Sequence, residues 1–233
     1  MGYKKGYFDS GVMYNSQKGL YKLRNSTFLK SIIEKKSKQH YDLLLVEKWK
    51  FLRNCRKVLD AGCGRGQFIK LNPFGADVSG IDFIESDIDK LKKEGFNVKC
   101  VDLKKKLPYK NSSFDGIISS HVLEHIDNPD MMLSEFKRIL KKEGILLIAV
   151  PNFSFEQFYK DPTHKRPYPK EAIFRLLSDY GFHDIKIVNG PHLNKTISAI
   201  FFLSPKIRHM IEKLLGKINP WEILAIAKNT KKD

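Results

Sequence analysis

The chain has 233 residues, 42% of them apolar and 12% aromatic, and a formal net charge of +16. That apolar content supports a packed core and excludes a wholly disordered chain, while the longest apolar runs, such as ILLIAV at 145–150, are far too short to span a bilayer. The charge is uneven: residues 1–57 carry +10, 58–150 carry zero and 151–233 carry +6. A neutral centre between basic flanks suits nucleic acid, anionic lipid or a phosphorylated substrate, and equally a set of solvated lysines.

Two helical stretches open the chain, one around Ile32 and Ile33 and an amphipathic one over 40–53, built on Leu43 to Val46, Trp49 and Leu52. Strand and helix signals then alternate. A strand at 57–61 leads to a short helix at 67–71 that stops before Pro73, and a strand at 78–82 leads to a helix at 85–93 closed by Gly95. Strands follow at 98–102 and 114–120, then a helix at 129–141 and an apolar strand at 145–150 stopped by Pro151. The aromatic, basic and proline-punctuated FSFEQFYKDPTHKRPYP reads as a loop with at most one short helix. A helix at 170–180, a strand at 184–188 and a last strand at 222–227 complete the order. Apolar strands alternating with helices predict an α/β fold: a Rossmann-like, doubly wound, seven-stranded sheet, mostly parallel, with an antiparallel C-terminal strand and helices on both faces.

One domain over 1–233 is expected, with a basic helical extension (1–54), a cofactor-binding core (55–152) and an acceptor-side region (153–233) that carries a helical insertion at 190–220. Cys55, Cys63 and Cys100 are scattered without metal-ligand spacing. They read as reduced thiols of a cytoplasmic protein, and no metal site is expected. The polar start MGYKKGYFDS does not read as a signal peptide, and Gly6 breaks the myristoylation pattern.

The chemistry concentrates at VLDAGCGRG (58–66). Glycine turns after a strand usually cradle phosphate, but Asp60 stands two residues before the first glycine, and Gly62, Gly64 and Gly66 miss the G-x-G-x-x-G spacing by one residue. Asp82 ends the second strand, where a carboxylate holds a ribose diol, and Asp102-Leu103 ends the third, where an acid beside an apolar side chain suits adenine. Three carboxylates repel a pyrophosphate and welcome a ligand with a ribose, an adenine and a cationic centre. S-adenosylmethionine (SAM) has that inventory. Each aspartate also has a plain reading as a cap or turn residue.

Five stretches resemble the motifs of class I SAM-dependent methyltransferases in order and spacing, most closely the methyltransferase type 11 group: VLDAGCGRG, GIDF (80–83), CVDL (100–103), FDGIISSHVLEHI (114–126) and FKRILKKEGILLIAVPN (136–152). The resemblance covers 55–152. It implies that Asp60, Gly62 and Gly64 surround the methionine moiety, that Asp82 holds the ribose and Phe83 flanks the adenine, that Asp102 and Leu103 clasp the adenine, and that Ser119 and His121 line the pocket near the sulfonium. Glu124 and His125 read as residues that orient a loop or helix.

The methyl acceptor is less legible. DPTHKRPYPKEAIFRLLSDYGF (161–182) is similar to a segment of methyltransferases that act in cell-surface glycan and lipid-linked saccharide assembly. The similarity implies a small-molecule or saccharide acceptor, with His164 as the catalytic base or a substrate ligand and Lys165 and Arg166 near an anionic group. An alternative is an RNA methyltransferase using the basic N-terminal region, and another is a non-catalytic SAM-binding partner subunit. Within the insertion, Ile207, Met210, Ile211, Leu214, Leu215 and Ile218 form one apolar stripe. Such a helix at 204–219 either packs as a lid on the sheet edge or lies on an anionic membrane, so the expected location is cytoplasmic or peripheral at the membrane.

Overall fold

The computed structural model describes residues 41–152, 158–190, 206, 207, 210, 211, 214 and 220–230. The expected helix around Ile32 and Ile33, the segment 153–157 and most of the 190–220 insertion lie outside the described residues. Helix α1 (41–51) leads into strand β1 (Lys57–Ala61), short helix α2 (Gln67–Leu71), β2 (Asp77–Asp82), α3 (Glu85–Lys93), β3 (Val98–Cys100) and β4 (Phe114–Ser120). After a 3-10 turn at Leu123–His125 come α4 (Asp130–Ile139), β5 (Leu140–Pro151), a second 3-10 turn at Phe158–Lys160, α5 (Lys170–Asp179), β6 (Phe182–Asn189) and β7 (Glu222–Asn229).

The strands form one seven-stranded sheet in the order β3-β2-β1-β4-β5-β7-β6. β1 through β5 pair in parallel, and β7 is inserted antiparallel between β5 and β6. Successive strand residues supply opposite faces. Leu146, Ile148 and Val150 of β5 join Phe136 and Ile139 of α4 and Ile173 and Leu177 of α5 in one core, whereas Leu147 and Ala149 join Leu45 and Trp49 of α1, Leu52 just after it, and Ile88 and Leu91 of α3 in the other. Burial on both faces explains why the central strands are continuous apolar runs. α1 is fixed by Trp49, which is fully buried, stacks on Phe68 at 4.1 Å between ring centres and donates its indole N–H to the Phe68 carbonyl at 3.1 Å. That contact locks α1 onto α2, behind the glycine turn.

Several boundaries differ from the sequence reading by one to five residues, and three of them bear on the packing. β3 stops at Cys100 because the Asp102 carboxylate accepts from the Lys104 N–H at 2.9 Å and turns the chain out of the sheet. α4 ends at Ile139 and β5 begins at Leu140, five residues before the expected start. Asn229 of β7 accounts for this: its side-chain amide donates to the carbonyls of Lys137, Leu140 and Lys141 at 2.9, 3.1 and 3.3 Å, taking up acceptors that another helical turn would need. β6 begins at Phe182, two residues before the expected start, where that residue pairs with Asn229 itself.

Candidate functional site

The sheet order reverses between β1 and β4. An open α/β sheet presents a crevice there, beyond the carboxyl ends of its strands. The turn after β1 enters this crevice. It is stitched to β2, since the N–H groups of Gly62 and Cys63 both donate to the Ile81 carbonyl, at 2.8 and 3.0 Å. Gly62 has φ +88°, and a Cβ there would lie 2.2 Å from Val122 Cγ2, so only glycine lets the turn sit against the segment after β4. At Gly64 (φ +50°) an added Cβ would meet nothing within 4 Å, which leaves open space above the backbone.

Asp82 is buried and holds this turn. One carboxylate oxygen accepts from the Gly64 N–H at 2.8 Å and the other from the Ile84 N–H at 3.0 Å. Burial pushes its pKa up against the pull of those hydrogen bonds. An ionised carboxylate has about four acceptor positions, so beside the main-chain donors it retains capacity for a further one. Asp60 is buried too, on the α1 face of β1, yet accepts no hydrogen bond from any described residue. Burial, and then the neighbouring Asp82 charge, raise its pKa to about 7, with Lys48 offsetting only part. Beyond β3, Leu103 is buried, Asp102 is half-buried and Phe83 is 52% exposed beside Asp82. The structure therefore brings the glycine turn, Asp60 and Asp82 into one constellation, with Phe83 at its edge and Asp102 and Leu103 just past the end of the neighbouring strand.

On the β4 side, Ser119 is fully buried, with no hydrogen bond to its Oγ from the described residues. His121 (φ +56°) is half-buried, with Nε2 2.9 Å from a Glu222 oxygen and Nδ1 3.4 Å from Glu124 Oε1, the latter without hydrogen-bond geometry. Burial opposes the charged imidazole, but the two carboxylates outweigh it and raise its pKa to about 9. Glu222 is buried, yet the Lys48 charge and the contact with His121 hold its pKa at about 2. Lys48 closes the group, donating to Glu222 and to Ser120 Oγ, both at 2.9 Å. Tyr41 of α1 lies in the field of Glu222 and Asp60, and burial, followed by those charges, lifts its pKa to about 12. Sequence reasoning missed Tyr41, Lys48 and Glu222. They lie far from the motifs along the chain, and nothing local distinguishes Lys48 from the other lysines of the basic flank.

The loop at 161–166 folds onto the segment after β4. Asp161 pins its turn, accepting from the Thr163 N–H at 2.9 Å and the Thr163 hydroxyl at 2.6 Å. The Glu124 carbonyl accepts from the Lys165 N–H at 2.7 Å, and Lys165 Nζ reaches Asp127 at 2.8 Å. His125 Nδ1 lies 3.2 Å from the Thr163 carbonyl, and His164 Nδ1 lies 2.9 Å from the Phe158 carbonyl. The Glu124 main chain and the His125 ring thus hold this loop against the segment after β4. His164 is carried to within 4.8 Å, ring centre to ring centre, of His125.

Residues 59–148 match the family model of the methyltransferase domain. The chain is 27% identical over 154 residues to a probable S-adenosylmethionine-dependent methyltransferase of Mycobacterium tuberculosis, covering 59% of this chain and 54% of that protein. It is 33% identical over 112 residues to a ubiquinone biosynthesis O-methyltransferase of Pelagibacter ubique, covering 44% and 45%. The chain thus spans about half the length of these curated relatives. Among solved structures, a SAM-dependent methyltransferase from Archaeoglobus fulgidus superposes with a TM-score of 0.64 at 28% identity, covering 87% of this chain and 100% of that one.

Proposed function

We propose that this chain, which belongs to the class I SAM-dependent methyltransferases of the methyltransferase type 11 group, moves the methyl group of SAM to a small-molecule or glycan-type acceptor, including one carried on a lipid. One observation carries the reading: Asp60 is a buried carboxylate that accepts no hydrogen bond from the described residues, beside a glycine turn with open space above it. A buried charge is stable only when paired. The α-ammonium of SAM supplies the partner, and a pyrophosphate could not. Asp82 then holds the ribose hydroxyls with its remaining acceptor capacity, Phe83 flanks the adenine, Asp102 and Leu103 clasp it, and Ser119 and His121 line the sulfonium side.

The reaction is an in-line displacement. The acceptor's nucleophilic atom bonds to the methyl carbon as the carbon–sulfur bond breaks and its electron pair returns to sulfur. The residues must align the two atoms and exclude water. A hydroxyl acceptor also has to lose its proton. His121 is poorly suited to take it, because its raised pKa keeps the ring protonated at neutral pH. His164 is better suited: a hydrogen bond from Nδ1–H to the Phe158 carbonyl leaves the Nε2 lone pair facing away from the main chain. The name of the Pelagibacter relative supports an oxygen acceptor. The RNA alternative rested on the basic N-terminal region, of which residues 1–40 lie outside the described residues.

Cofactor binding is expected to depend on pH through Asp60. Its carboxyl titrates near 7 in the free chain, and an ammonium partner lowers that pKa, so binding below pH 7 must release a proton. Affinity for S-adenosylhomocysteine should rise by about tenfold from pH 6 to pH 8 and level off above. Calorimetric titration in buffers of different ionisation enthalpy would count the proton, and Asp60→Asn should bind weakly with a flat profile. A flat wild-type profile would contradict the pairing, and no binding of SAM or S-adenosylhomocysteine would sink the cofactor reading. Labelled SAM offered to lipid-linked saccharides, RNA and small metabolites then locates the acceptor, and absence of turnover with all of them favours the partner-subunit alternative.

A lipid-linked acceptor has separate support. Ile207, Met210 and Leu214 lie on one helical face and are 45, 65 and 63% exposed, with Lys206 exposed beside them. Among the described residues no helix is long and apolar enough to cross a membrane. Co-sedimentation with vesicles containing anionic phospholipid, weak with purely zwitterionic ones and lost in Met210→Glu/Leu214→Glu, is the expected outcome; equal sedimentation of that variant would rule out this face.

A further inference from the structure

Three side chains that the cofactor reading does not use converge beside it. The ligand-capable atoms of Glu124, His125 and His164 lie within 4.8 Å of one another. Glu124 is fully buried, and neither carboxylate oxygen makes a hydrogen bond among the described residues. That is costly for an acid, and His121 Nδ1, 3.4 Å from Oε1 without hydrogen-bond geometry, offsets only part of the cost. The two histidines are oriented alike. A carbonyl oxygen can only accept, so the contacts to Thr163 and Phe158 place the proton of each ring on Nδ1. The Thr163 hydroxyl donates to Asp161, so it too acts as an acceptor toward His125 Nδ1, at 3.0 Å. Each Nε2 therefore carries the lone pair in the neutral ring, and His125 Nε2 stands 4.0 Å from Glu124 Oε1. Imidazoles anchored through Nδ1–H on main-chain oxygens are the outer-shell arrangement that orients histidines toward metal ions.

We propose that Glu124, His125 and His164 bind a divalent transition-metal ion of the zinc class. Two imidazole nitrogens and a carboxylate oxygen suit zinc, whose bonds of about 2.0–2.2 Å would draw the ligand atoms inward by roughly an ångström. Two neighbouring groups bear on the site. His121 Nδ1, 3.4 Å from Glu124, competes with the ion for that carboxylate, and Asp161, with an oxygen 3.8 Å from His164 Nε2, adds negative charge. Three protein ligands leave a fourth position for an oxygen donor. This part rests on the methyl-transfer reading: that donor is the acceptor's hydroxyl, which the ion acidifies so that its proton passes to solvent water. His164 then acts as a ligand to the ion and not as the base itself.

The test uses the full, untagged chain after chelator treatment. Calorimetric titration with Zn2+ should show one ion per chain. His164→Ala and Glu124→Gln should each weaken that binding by at least about tenfold, while His183→Ala, on β6 beside Glu143, should leave it unchanged. Co2+ should give the visible absorption of a four-coordinate site in the wild type and lose it in His164→Ala. Titration with S-adenosylhomocysteine runs in parallel: normal affinity in His164→Ala shows that the variant is folded and keeps the cofactor question separate. No Zn2+ binding by the wild type, or binding unchanged in both His164→Ala and Glu124→Gln, overturns the proposal.

Discussion

Asp82→Ala is expected to weaken S-adenosylhomocysteine binding by about a hundredfold or more, equivalent to roughly 2.7 kcal/mol, and to lower the melting temperature at the same time. Asp82 acts on both sides of the crevice. Its carboxylate takes the Gly64 and Ile84 N–H groups, so alanine strands two backbone donors at the ends of two turns. Each such loss costs about 1–3 kcal/mol. The same change removes the acceptors proposed for the ribose hydroxyls. Asp82→Asn should also bind poorly, because an amide has one oxygen and must turn an NH2 group toward one of the two N–H donors. Calorimetry with thermal melts separates the contributions: a stability loss without an affinity loss would mean that Asp82 only caps the turns. Affinity within threefold of wild type in Asp82→Ala would contradict its place in the cofactor site.

Gly62→Ala should be strongly damaging for the addition of a single methyl group. The added carbon would sit 2.2 Å from Val122 Cγ2 on a backbone with φ +88°. Strain at such a φ costs of order 1–3 kcal/mol by itself, and valine has little freedom at χ1 to move aside. The variant is expected to lose measurable cofactor binding and several degrees of melting temperature. Adding Val122→Ala should recover the clash but not the backbone strain, giving partial rescue in a double-mutant cycle. Strict additivity of the two changes would mean that the contact with Val122 is unimportant. Gly64→Ala is the contrast, since its Cβ meets nothing within 4 Å. It should keep most of the stability and lose affinity, because the space it fills is the space proposed for the methionine moiety.

Much of this was legible in the sequence because the information was local. Val58 to Gly66 declare a buried strand and a turn that needs positive φ, and the order of apolar strands and intervening helices is enough to predict a doubly wound sheet with one antiparallel strand near its end. The boundaries that moved depended on distant groups. Asn229 ends α4 by capturing carbonyls about ninety residues earlier in the chain, and no periodicity in 129–141 encodes that. Asp102 shortened β3 through a turn whose signal was present, an aspartate two residues before the N–H it accepts.

The site divides in the same way. By itself the sequence determined the glycine turn, the acids at the strand ends and hence the kind of cofactor, because a strand end followed by a tight turn places its residues with little help from the rest of the chain. Only the tertiary structure decided which of these carboxylates is held and which receives no donor from the described residues. Asp82 is tied by Gly64 and Ile84, while Asp60 faces α1 with Lys48 near enough to offset only part of the cost of its burial. Tertiary packing also gathered Lys48, His121 and Glu222, and folded the 161–166 loop so that His164 meets Glu124 and His125. Electrostatic energy in a buried crevice depends on separation in space and on access to water. Both are properties of the packed chain, and spacing along the sequence carries neither.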